Sequence, residues 1–551
     1  MRPCRFFFLF AITYLFCQEA SAQTSTYTQV YNIFQAKCLG CHSGGSPSGL
    51  LDLSASPATV YSNLVSAQPV NPAAKARGDK RIDPGYPHRS YLLRKINNSL
   101  DADNGLNTNE GDRMPLPPNA GLSKPEIELI RQWVLEGAPQ TGSVVDTSLI
   151  NTYYRGKGID GLAAPLSPPN PSQGFQIHVG KVFVGTNSEQ EWFLKYNPRL
   201  ASDTEIYKVE LALVPETHHF VIYKYFTGQS VSFPEGLRDT SKSSHGSANL
   251  ACVFSPKTRS ITLPPKTAYL WTKTDVLDLN YHLYNRNADS VLAVDLYLNI
   301  YTQPKGTAQS IMYTRYFANL AISIPEDSMH HTFTSEAYDT TETNSWNVWM
   351  LYTHTHKYGT GYNIYLRNPD GTKGTQIYDG FYNFDYTFNQ GYYEWGPEAA
   401  ERTIYPFLPV DPRNGFVHEA TFMNTAGPNP VGWGLTSKDE MMVMIMQYTY
   451  GSPLGIQDKK TLGVLDLNTY PNPFTDATTI SYRLKEVSRV RIELFNMLGE
   501  KVSTLTEETQ DAGRHAYNLR ASQYELSAGM YLLKISVGEQ SISRRLVKLG
   551  N

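Results

Sequence analysis

The feature that most constrains this chain is a Cys-Leu-Gly-Cys-His pentapeptide that begins at Cys38. Two thiols at this spacing, followed directly by an imidazole, form the attachment signature of a c-type haem. Cys38 and Cys41 would bond the porphyrin, and His42 would lie under the iron as an axial ligand. An apolar helical face over 30–34 leads into the motif. The sequence therefore predicts a small all-α domain over 23–142 that carries one covalently bound haem c.

A second axial ligand is expected further along the same domain. Met114 lies in a proline-stiffened loop that can hold its thioether towards the iron, and a Met/His pair suits electron transfer. His88 is the alternative ligand. Ser123 and Glu126 form a capping box that begins a closing helix, and Gly137 ends it. The segment resembles the small cytochrome c domains that are fused to bacterial enzymes.

Composition and the N-terminus indicate an exported protein. The 48 basic and 51 acidic side chains nearly balance, which argues against a nucleic-acid partner. Residues 1–22 combine two arginines, an apolar run and a small-residue end, as a secretory signal peptide does. No stretch is long enough for a transmembrane segment. Of the five cysteines, Cys252 alone lies outside the signal and the haem motif, so the mature protein is expected to be disulfide-free.

The remainder of the chain has the pattern of a β protein. Residues 143–174 are rich in proline, glycine and serine and are predicted to be a flexible linker. Beyond them, short alternating apolar runs separated by turn residues predict two antiparallel β-sandwich (jelly-roll-like) domains over 175–310 and 311–455. A second linker at 456–468 and a small C-terminal β-sandwich at 469–551 follow. The predicted fold class is therefore mainly β, with a small all-α domain at its start.

Histidines in the two predicted sandwiches have spacings that suit metal binding. His218 and His219 are adjacent, so they can share an ion only at a β-bulge or a strand end. His354 and His356 are two apart, and on a strand they would lie on one face. His282 lies within another predicted strand. Imidazole binds copper in both oxidation states, and a thioether favours Cu(I).

These histidines, followed by Asp439-Glu440-Met441, resemble the ligand order of the copper type II, ascorbate-dependent monooxygenases. Peptidylglycine α-hydroxylating monooxygenase and dopamine β-monooxygenase belong to that family, and the resemblance covers about 170–450. It implies two copper ions, of which the second takes up O2. The implied ligands are His218, His219 and His282 for the first ion, and His354, His356 and Met441 for the second.

Other histidines and methionines in this region compete with that assignment. The alternatives to Met441 as thioether ligand are Met442, Met444 and Met446. Met441 is preferred because the Asp-Glu pair before it matches the family. His330 and His331 are interpreted as surface residues, since the family binds no metal at that place. The histidines without a partner at ligand spacing, which we expect to form local hydrogen bonds, are His178, His245 and His418.

Departures from the family bear on the substrate. Animal members have several disulfides, and none is expected here. Peptide-hydroxylating members place an Arg two residues before the His-Thr-His motif, where this chain has Tyr352. Val443 and Ile445 replace an Asn and a Tyr after the ligand Met. The bidentate clamp that Arg gives a carboxylate is missing, so a small apolar or aromatic organic substrate is predicted rather than a glycine-extended peptide.

The last segment carries an export signal of its own. It contains Tyr-Pro-Asn-Pro-Phe at 470–474, alternating strands and a basic end. It resembles the type A sorting domain of type IX secretion. The resemblance implies the type IX machinery as a partner, and a protein that is secreted or on the cell surface after passing the periplasm of a Gram-negative bacterium.

Together these patterns predict a secreted, copper- and haem-dependent monooxygenase that hydroxylates a C–H bond with O2. Electrons would come from an ascorbate-like reductant or a redox protein. We predict that the fused haem is the immediate reductant of the three-histidine copper and reaches it by means of the flexible linker. The alternative is a non-catalytic surface electron-transfer or copper-binding protein. A further rival is an adhesin-like surface protein with a vestigial copper site.

Overall fold

The computed structural model describes residues 24–101, 104–162, 164–254, 260–381, 402–425, 427–435, 438–450, 464–484, 486–496, 501–537 and 540–550. The predicted signal peptide at 1–22 lies outside the described residues. The chain divides into two compact units, Met1–Pro453 and Leu454–Asn551. The protein is mainly β, as its sequence predicts.

A helical region opens the first unit. Its helices are α1 (Thr26–Lys37), α2 (Pro57–Leu64), α3 (Pro72–Ala76), α4 (Tyr91–Ile96), α5 (Lys124–Leu135) and α6 (Thr147–Tyr154). The predicted capping box begins α5, because the Glu126 carboxylate accepts hydrogen bonds from the amide and hydroxyl of Ser123. Val30, Phe34 and Trp133 are fully buried in the shared core of this region. None of the described helices has the length and apolar composition needed to cross a bilayer.

The segment 143–174 is not the flexible linker that its composition predicts. Thr147–Tyr154 form α6, and Gly158–Asp160 form the strand β1, which pairs in parallel with residues 291–293. Ile150 is buried in the same core as the preceding helices. All four prolines of the segment lie after residue 160. The composition averaged over the whole segment therefore did not reveal the helix in the first half of the segment.

Fixed contacts dock the helical region on the first β region. Arg199 pairs with Asp83 at 2.6 Å. Two backbones also meet without intervening side chains: a Cβ on Gly236 would lie 2.2 Å from the nitrogen of Gly137, and one on Gly137 would lie 2.4 Å from the Glu235 carbonyl oxygen. Both glycines have positive φ, so a side chain is excluded there on two grounds. The prediction that the haem domain moves on a flexible tether is therefore wrong.

The first β region lies between residues 158 and 304. Its strands after β1 are β2 (Gly174–Val184), β3 (Ser188–Tyr196), β4 (Thr204–Leu211), β5 (Thr217–Tyr225), β6 (Leu237–Arg238), β7 (Ala248–Phe254), β8 (Ser260–Thr262), β9 (Thr267–Trp271), β10 (Leu277–Asn285) and β11 (Val291–Pro304). Five of them form an antiparallel sheet of order β6-β3-β10-β5-β7. This sheet carries three of the five histidines predicted as ligands.

The second β region completes the first unit. Its strands are β12 (Ser310–Ala318), β13 (Ser323–Ile324), β14 (His330–Ala337), β15 (Trp346–His354), β16 (Gly359–Arg367), β17 (Lys373–Phe381), β18 (Arg402–Val410), β19 (Phe416–Met423), β20 (Val431–Gly432) and β21 (Val443–Tyr450). One sheet has the order β14-β19-β16-β17, and β13 pairs with β20. Trp346 of β15 stacks on Phe416 of β19 in a shared core.

One large sheet runs through both β regions. Its order is β1-β11-β4-β9-β12-β21-β15-β18, with β2 beside β11 and β8 beside β4. The two regions join where β9 and β12 pair in parallel, with Ser310 opposite Thr267. The predicted division near residue 310 therefore falls at the strand that connects the two halves of a single sheet.

The second unit is a small β structure. Its strands are β22 (Val464–Tyr470), β23 (Ala477–Leu484), β24 (Ser488–Asn496), β25 (Lys501–Gln510), β26 (Gly513–Arg520), β27 (Gly529–Val537) and β28 (Gln540–Lys548). They form two sheets, β22-β23-β26 and β25-β24-β27-β28, around one core. The linker predicted at 456–468 is too long, because β22 begins at Val464; residues 456–463 lie outside the described residues.

Candidate metal centres

The haem motif lies on the wall of a cavity in the helical region. Cys38 follows the last residue of α1, and the next turn brings the amides of Cys41 and His42 onto its carbonyl oxygen at 3.3 and 3.1 Å. Met114 lies on the wall of the same cavity, whose volume is about 520 Å³. Cofactor sites commonly have volumes in this range.

Local hydrogen bonds hold both predicted axial ligands on the cavity wall. His42 Nδ1 lies 3.2 Å from the Leu51 carbonyl oxygen, so it can donate there and leave Nε2 for a metal. The amide of Met114 donates to the Lys95 carbonyl at 2.6 Å, which fixes the proline-rich loop. His88, the alternative ligand, lies outside the wall of this cavity. These residues fit a covalent haem with His and Met ligands.

The five histidines predicted as copper ligands form one cluster, the five-histidine cluster, between the two β regions. They come from β5, β10, the end of β15 and the turn that follows it. Two sets of three have ligand atoms within 4.8 Å of one another. The sets are His218 with His219 and His282, and His218 with His354 and His356. The two predicted copper sites are therefore adjacent, and His218 belongs to both sets.

A β-bulge brings the adjacent pair together. Between β5 and β10, His219 lies opposite His282, but the next residue, Leu283, lies opposite Thr217. His218 is thus the extra residue of the bulge. The ring centroids of His218 and His219 are 5.1 Å apart. This is the irregularity that chelation by neighbouring residues requires.

The His-Thr-His pair has a different geometry from the one predicted. The strand β15 ends at His354, so His356 lies in the following turn and not on the same strand. Their ring centroids are 5.1 Å apart. The buried Glu440 carboxylate holds this turn, because it accepts hydrogen bonds from the amides of His356, Tyr358 and Met441. One side chain thus ties the turn that carries His356 to the backbone of the predicted thioether ligand.

Hydrogen bonds orient two of the rings and leave one nitrogen of each without a partner among the described residues. His356 Nδ1 lies 3.1 Å from the Asp439 carbonyl oxygen, and its buried Nε2 has no hydrogen-bond partner among the described residues. His282 Nε2 lies 2.7 Å from Glu189, and its Nδ1 is likewise buried and without a partner in the described part of the chain. Contacts of this kind fix the tautomer of metal-binding histidines.

Burial disfavours the charged form of three imidazoles in this cluster. Burial and the neighbouring imidazoles lower the pKa of His218 and of His354 well below the usual range. Burial lowers the pKa of His356 to about 4. Burial also raises the pKa of Glu440 to about 8, against the opposing effect of the amides that it accepts from. Neutral imidazole is the form that binds a metal, so these three rings are in their metal-binding form at pH 7.

An apolar cavity of about 440 Å³ adjoins the cluster, and His354 and Met441 line it. Val221 of β5 meets Tyr352 and Ile445 of the large sheet in a buried apolar group that forms one wall. The three positions that depart from the peptide-hydroxylating pattern, at 352, 443 and 445, all line this cavity. The cavity therefore joins the predicted ligands to the predicted substrate-binding positions.

The structure separates Met441 from the competing methionines. Met441 lines the cavity beside His354. The three competitors are fully buried in the core of the second β region: Met442, Met444 and Met446. Their thioethers contribute to packing, which supports the choice of Met441.

The remaining histidines have local contacts, as expected, and two of them have further contacts. His331 bonds Asp327 at 2.9 Å on the surface, and His330 is exposed. His418 Nδ1 lies 2.5 Å from the hydroxyl of Tyr362. The two that do more than expected are His245, which lines the cavity, and His178, which packs against His88.

Two acidic residues near the cluster escaped the sequence analysis. Glu189 and Glu191 lie on β3, and Glu191 is opposite His282 of β10. Burial opposes the ionisation of Glu191, but the hydrogen bond and charge of His219 outweigh it and lower its pKa to about 2. The only signal in the sequence was the Glu-x-Glu spacing, which places both side chains on one face of a strand. That spacing does not show which strand pairs with it.

Comparison with known proteins identifies the C-terminal part. Residues 468–549 match the secretion system C-terminal sorting domain, in agreement with the predicted 469–551. No curated protein matches the chain. Solved β-glucuronidases from Faecalibacterium prausnitzii and Lactobacillus rhamnosus show 10% and 12% identity, with TM-scores of 0.16 and 0.13. The alignments cover 43% of this chain and 36% and 35% of theirs.

The chain thus spans about a third of the length of these enzymes. At such TM-scores the likeness indicates neither a shared fold nor a shared activity. The match to the sorting domain identifies the export route, because type IX secretion recognises this domain. The protein is exported by that route, to the cell surface or the medium.

Proposed function

We propose that this protein is an exported copper- and haem-dependent monooxygenase that hydroxylates a C–H bond of a small organic molecule with O2. The observation that carries the proposal is the five-histidine cluster beside an apolar cavity that also bears Met441. Imidazole nitrogens suit copper, and those on His282, His354 and His356 include buried ones without a hydrogen-bond partner among the described residues. A thioether adds preference for Cu(I).

Each copper ion has a defined set of candidate ligands. The first ion would be held by His218, His219 and His282, and the second by His354, His356 and Met441. When bound, copper supplies the O2 and one-electron chemistry that protein side chains lack. The chain itself orients the donors. Glu189 and the Asp439 carbonyl hold two of the rings, and Glu440 holds the turn after β15 against the Met441 segment.

The cavity favours an apolar or aromatic substrate. Tyr352, Val443 and Ile445 line it, and its described lining includes no lysine or arginine that could pair with a carboxylate. Glu191 also lines it, and its lowered pKa keeps it ionised at neutral pH. An anionic group on a substrate would therefore be repelled by Glu191 and would find no lysine or arginine in the described lining to pair with.

The helical region is the proposed source of electrons. A haem with His and Met ligands supplies one electron at a time when it is bound. The chain holds Cys38, Cys41, His42 and Met114 around one cavity and docks this region on the first β region. An ascorbate-like reductant or a redox protein would serve as the external donor.

Substrate-dependent O2 uptake by the copper-loaded protein tests the proposal. Met441→Ala should abolish uptake and leave the haem spectrum unchanged. Met444→Ala is the matched control: it should lower the free energy of unfolding by about 2–5 kcal/mol but retain uptake in the folded protein. Full turnover by Met441→Ala would show that the ligand assignment is wrong. Copper binding without any substrate-dependent uptake would favour the non-catalytic alternative.

The substrate class has its own test. A glycine-extended peptide should be hydroxylated with a kcat/KM roughly 100-fold or more below that of an aromatic compound of similar size, because its carboxylate faces Glu191. The amide of the same peptide serves as the control for size and should lose less. Efficient hydroxylation of the free acid would contradict the assignment of an apolar or aromatic substrate.

A further inference from the structure

A second group of metal-binding side chains lies where the helical region meets β2. His88 and Asp101 come from the helical region and His178 from β2. One ligand atom of each lies within 4.8 Å of the others. The ring centroids of His88 and His178 are 3.9 Å apart. We call these three residues the interface triad; they belong neither to the haem cavity nor to the five-histidine cluster.

The His88 ring offers a buried nitrogen. Its Nε2 has no hydrogen-bond partner among the described residues, and the nearest carboxylate oxygen, of Asp101, is 3.7 Å away. That distance is too long for a hydrogen bond. Burial and the neighbouring His178 lower the pKa of His88 well below its usual range, so the imidazole is neutral. An unsatisfied buried nitrogen is costly, and a metal ion at this point would satisfy it.

His178 has the contacts of an oriented ligand. Its Nε2 lies 2.7 Å from a carboxylate oxygen of Asp295, and the Tyr297 hydroxyl donates to the other oxygen at 3.3 Å. The His178 ring also stacks on Tyr297, with centroids 4.0 Å apart. A carboxylate on one imidazole nitrogen fixes the tautomer and leaves the other nitrogen for a metal. The available nitrogen of His178 is then Nδ1.

Asp101 is held in place by its own backbone. The Asn97 side-chain amide donates to the Asp101 carbonyl oxygen at 2.6 Å, and the Asp101 amide donates to the Asn97 side-chain oxygen at 3.0 Å. This pair of bonds fixes the loop from both sides. The third ligand is therefore positioned before any ion binds, which lowers the entropy cost of binding.

Charged groups of both signs surround the interface triad. The nearby arginines, Arg94 and Arg131, are each bonded to carboxylates of their own. Asp101 and Asp295 place two carboxylates beside the two imidazoles. A divalent ion here would be attracted by these carboxylates and repelled by the Arg131 guanidinium, which both carboxylates also attract.

We propose that His88, Asp101 and His178 bind a divalent transition metal, zinc or copper, at the boundary between the helical region and the first β region. Two imidazoles and one carboxylate are a ligand set that both metals accept. Because two ligands come from the helical region and one from β2, the ion would fasten the haem-bearing part of the chain to the sheet. The site is independent of the proposed oxygenase activity.

Metal content tests the proposal directly. The full mature protein is stripped with a chelator, which leaves covalent haem in place, and reloaded with Zn²⁺ alone. Bound zinc is then measured per haem iron by mass spectrometry of the elements. Asp101→Asn and His178→Gln should each lose one equivalent of zinc relative to the wild type. His331→Ala, a surface histidine with an aspartate partner, should lose none.

A second measurement keeps the test independent of the five-histidine cluster. His356→Ala should reduce zinc at that cluster while zinc still raises the thermal unfolding midpoint of the helical region, followed by haem absorbance. Adding Asp101→Asn to this variant should remove that shift. Asp101→Asn keeps the shape of the side chain, so it decides the outcome even if His178→Gln fails to fold. An unchanged zinc count in Asp101→Asn, or an undiminished shift, would overturn the proposal.

Discussion

The haem motif and the five-histidine cluster are encoded in opposite ways. The two thiols and the imidazole of the haem motif lie within five consecutive positions, and a single turn after α1 presents all three. The histidines come from positions 218 to 356, and the cluster forms only when β5, β10 and β15 have their correct neighbours. The first arrangement depends only on a short peptide, whereas the second depends on the tertiary fold. Substitutions should therefore act locally in one region and widely in the other.

The largest effect is expected from the local motif. Replacing Cys38 and Cys41 together by Ala should eliminate covalent haem, because no other described thiol lies near the cavity. Haem staining after denaturing electrophoresis measures the attachment. Cys252→Ala is the control and should retain haem, since Cys252 is buried in β7. Copper content should be unchanged in the folded double variant; a loss of copper would show that the two regions are not independent.

The next effect concerns the histidine that both sets share. Although His218 is a proposed ligand of the first ion only, its ligand atom also lies within 4.8 Å of those of His354 and His356, so His218→Ala should weaken both copper sites. His219→Ala should weaken only one of them. Copper per haem, measured after dialysis against a weak chelator, distinguishes the two variants. Equal losses would mean that His218 serves a single ion, and the cluster would then be two separate sites.

The smallest effect comes from a buried histidine that belongs to neither region. Burial lowers the pKa of His418 to about 4, while in the unfolded chain it is about 6.5. Between these values the unfolded state binds more protons, so the free energy of unfolding falls as pH falls from 6.5 to 4. The loss is about 3 kcal/mol. His418→Gln should flatten this part of the profile.

Tryptophan fluorescence measures that profile, because all seven tryptophans precede residue 454 and report on the first unit. His331→Gln serves as the control, since His331 lies on the surface. A pH profile that is the same in His418→Gln and in the wild type would contradict the effect of burial. It would also remove the reference against which the metal-binding histidines are compared.

The sequence predicts local features better than distant ones. The haem turn, the capping box of α5 and the need for a bulge at His218 follow from spacing and side-chain chemistry alone. The helix α6 was missed because proline-rich residues after 160 dominated the composition of its segment. The placement of His356 beyond the end of β15 depends on Glu440, more than 80 residues away. No periodic pattern of residues in the sequence indicates this contact between Glu440 and the turn of His356.

Contacts between distant segments explain the other omissions. His88 and His178 were considered separately, as an alternative haem ligand and as a histidine without a partner. They meet because the helical region docks on β2, which the predicted linker did not suggest. The same holds for Glu191, whose position beside His282 depends on the order of strands in a sheet. Sequence spacing names the candidate residues, and only the tertiary fold decides which of them meet.

The pairing of β9 with β12 has a consequence for the size of molecule that can reach the cavity. The two β regions share backbone hydrogen bonds there, and the Tyr269 hydroxyl of β9 donates to Gln447 of β21 at 3.0 Å in the buried interior. Parting the two halves would break these bonds together. In the proposed oxygenase, substrate and product would then pass by motion of side chains and loops at the mouth of the cavity, which limits how bulky a molecule can pass.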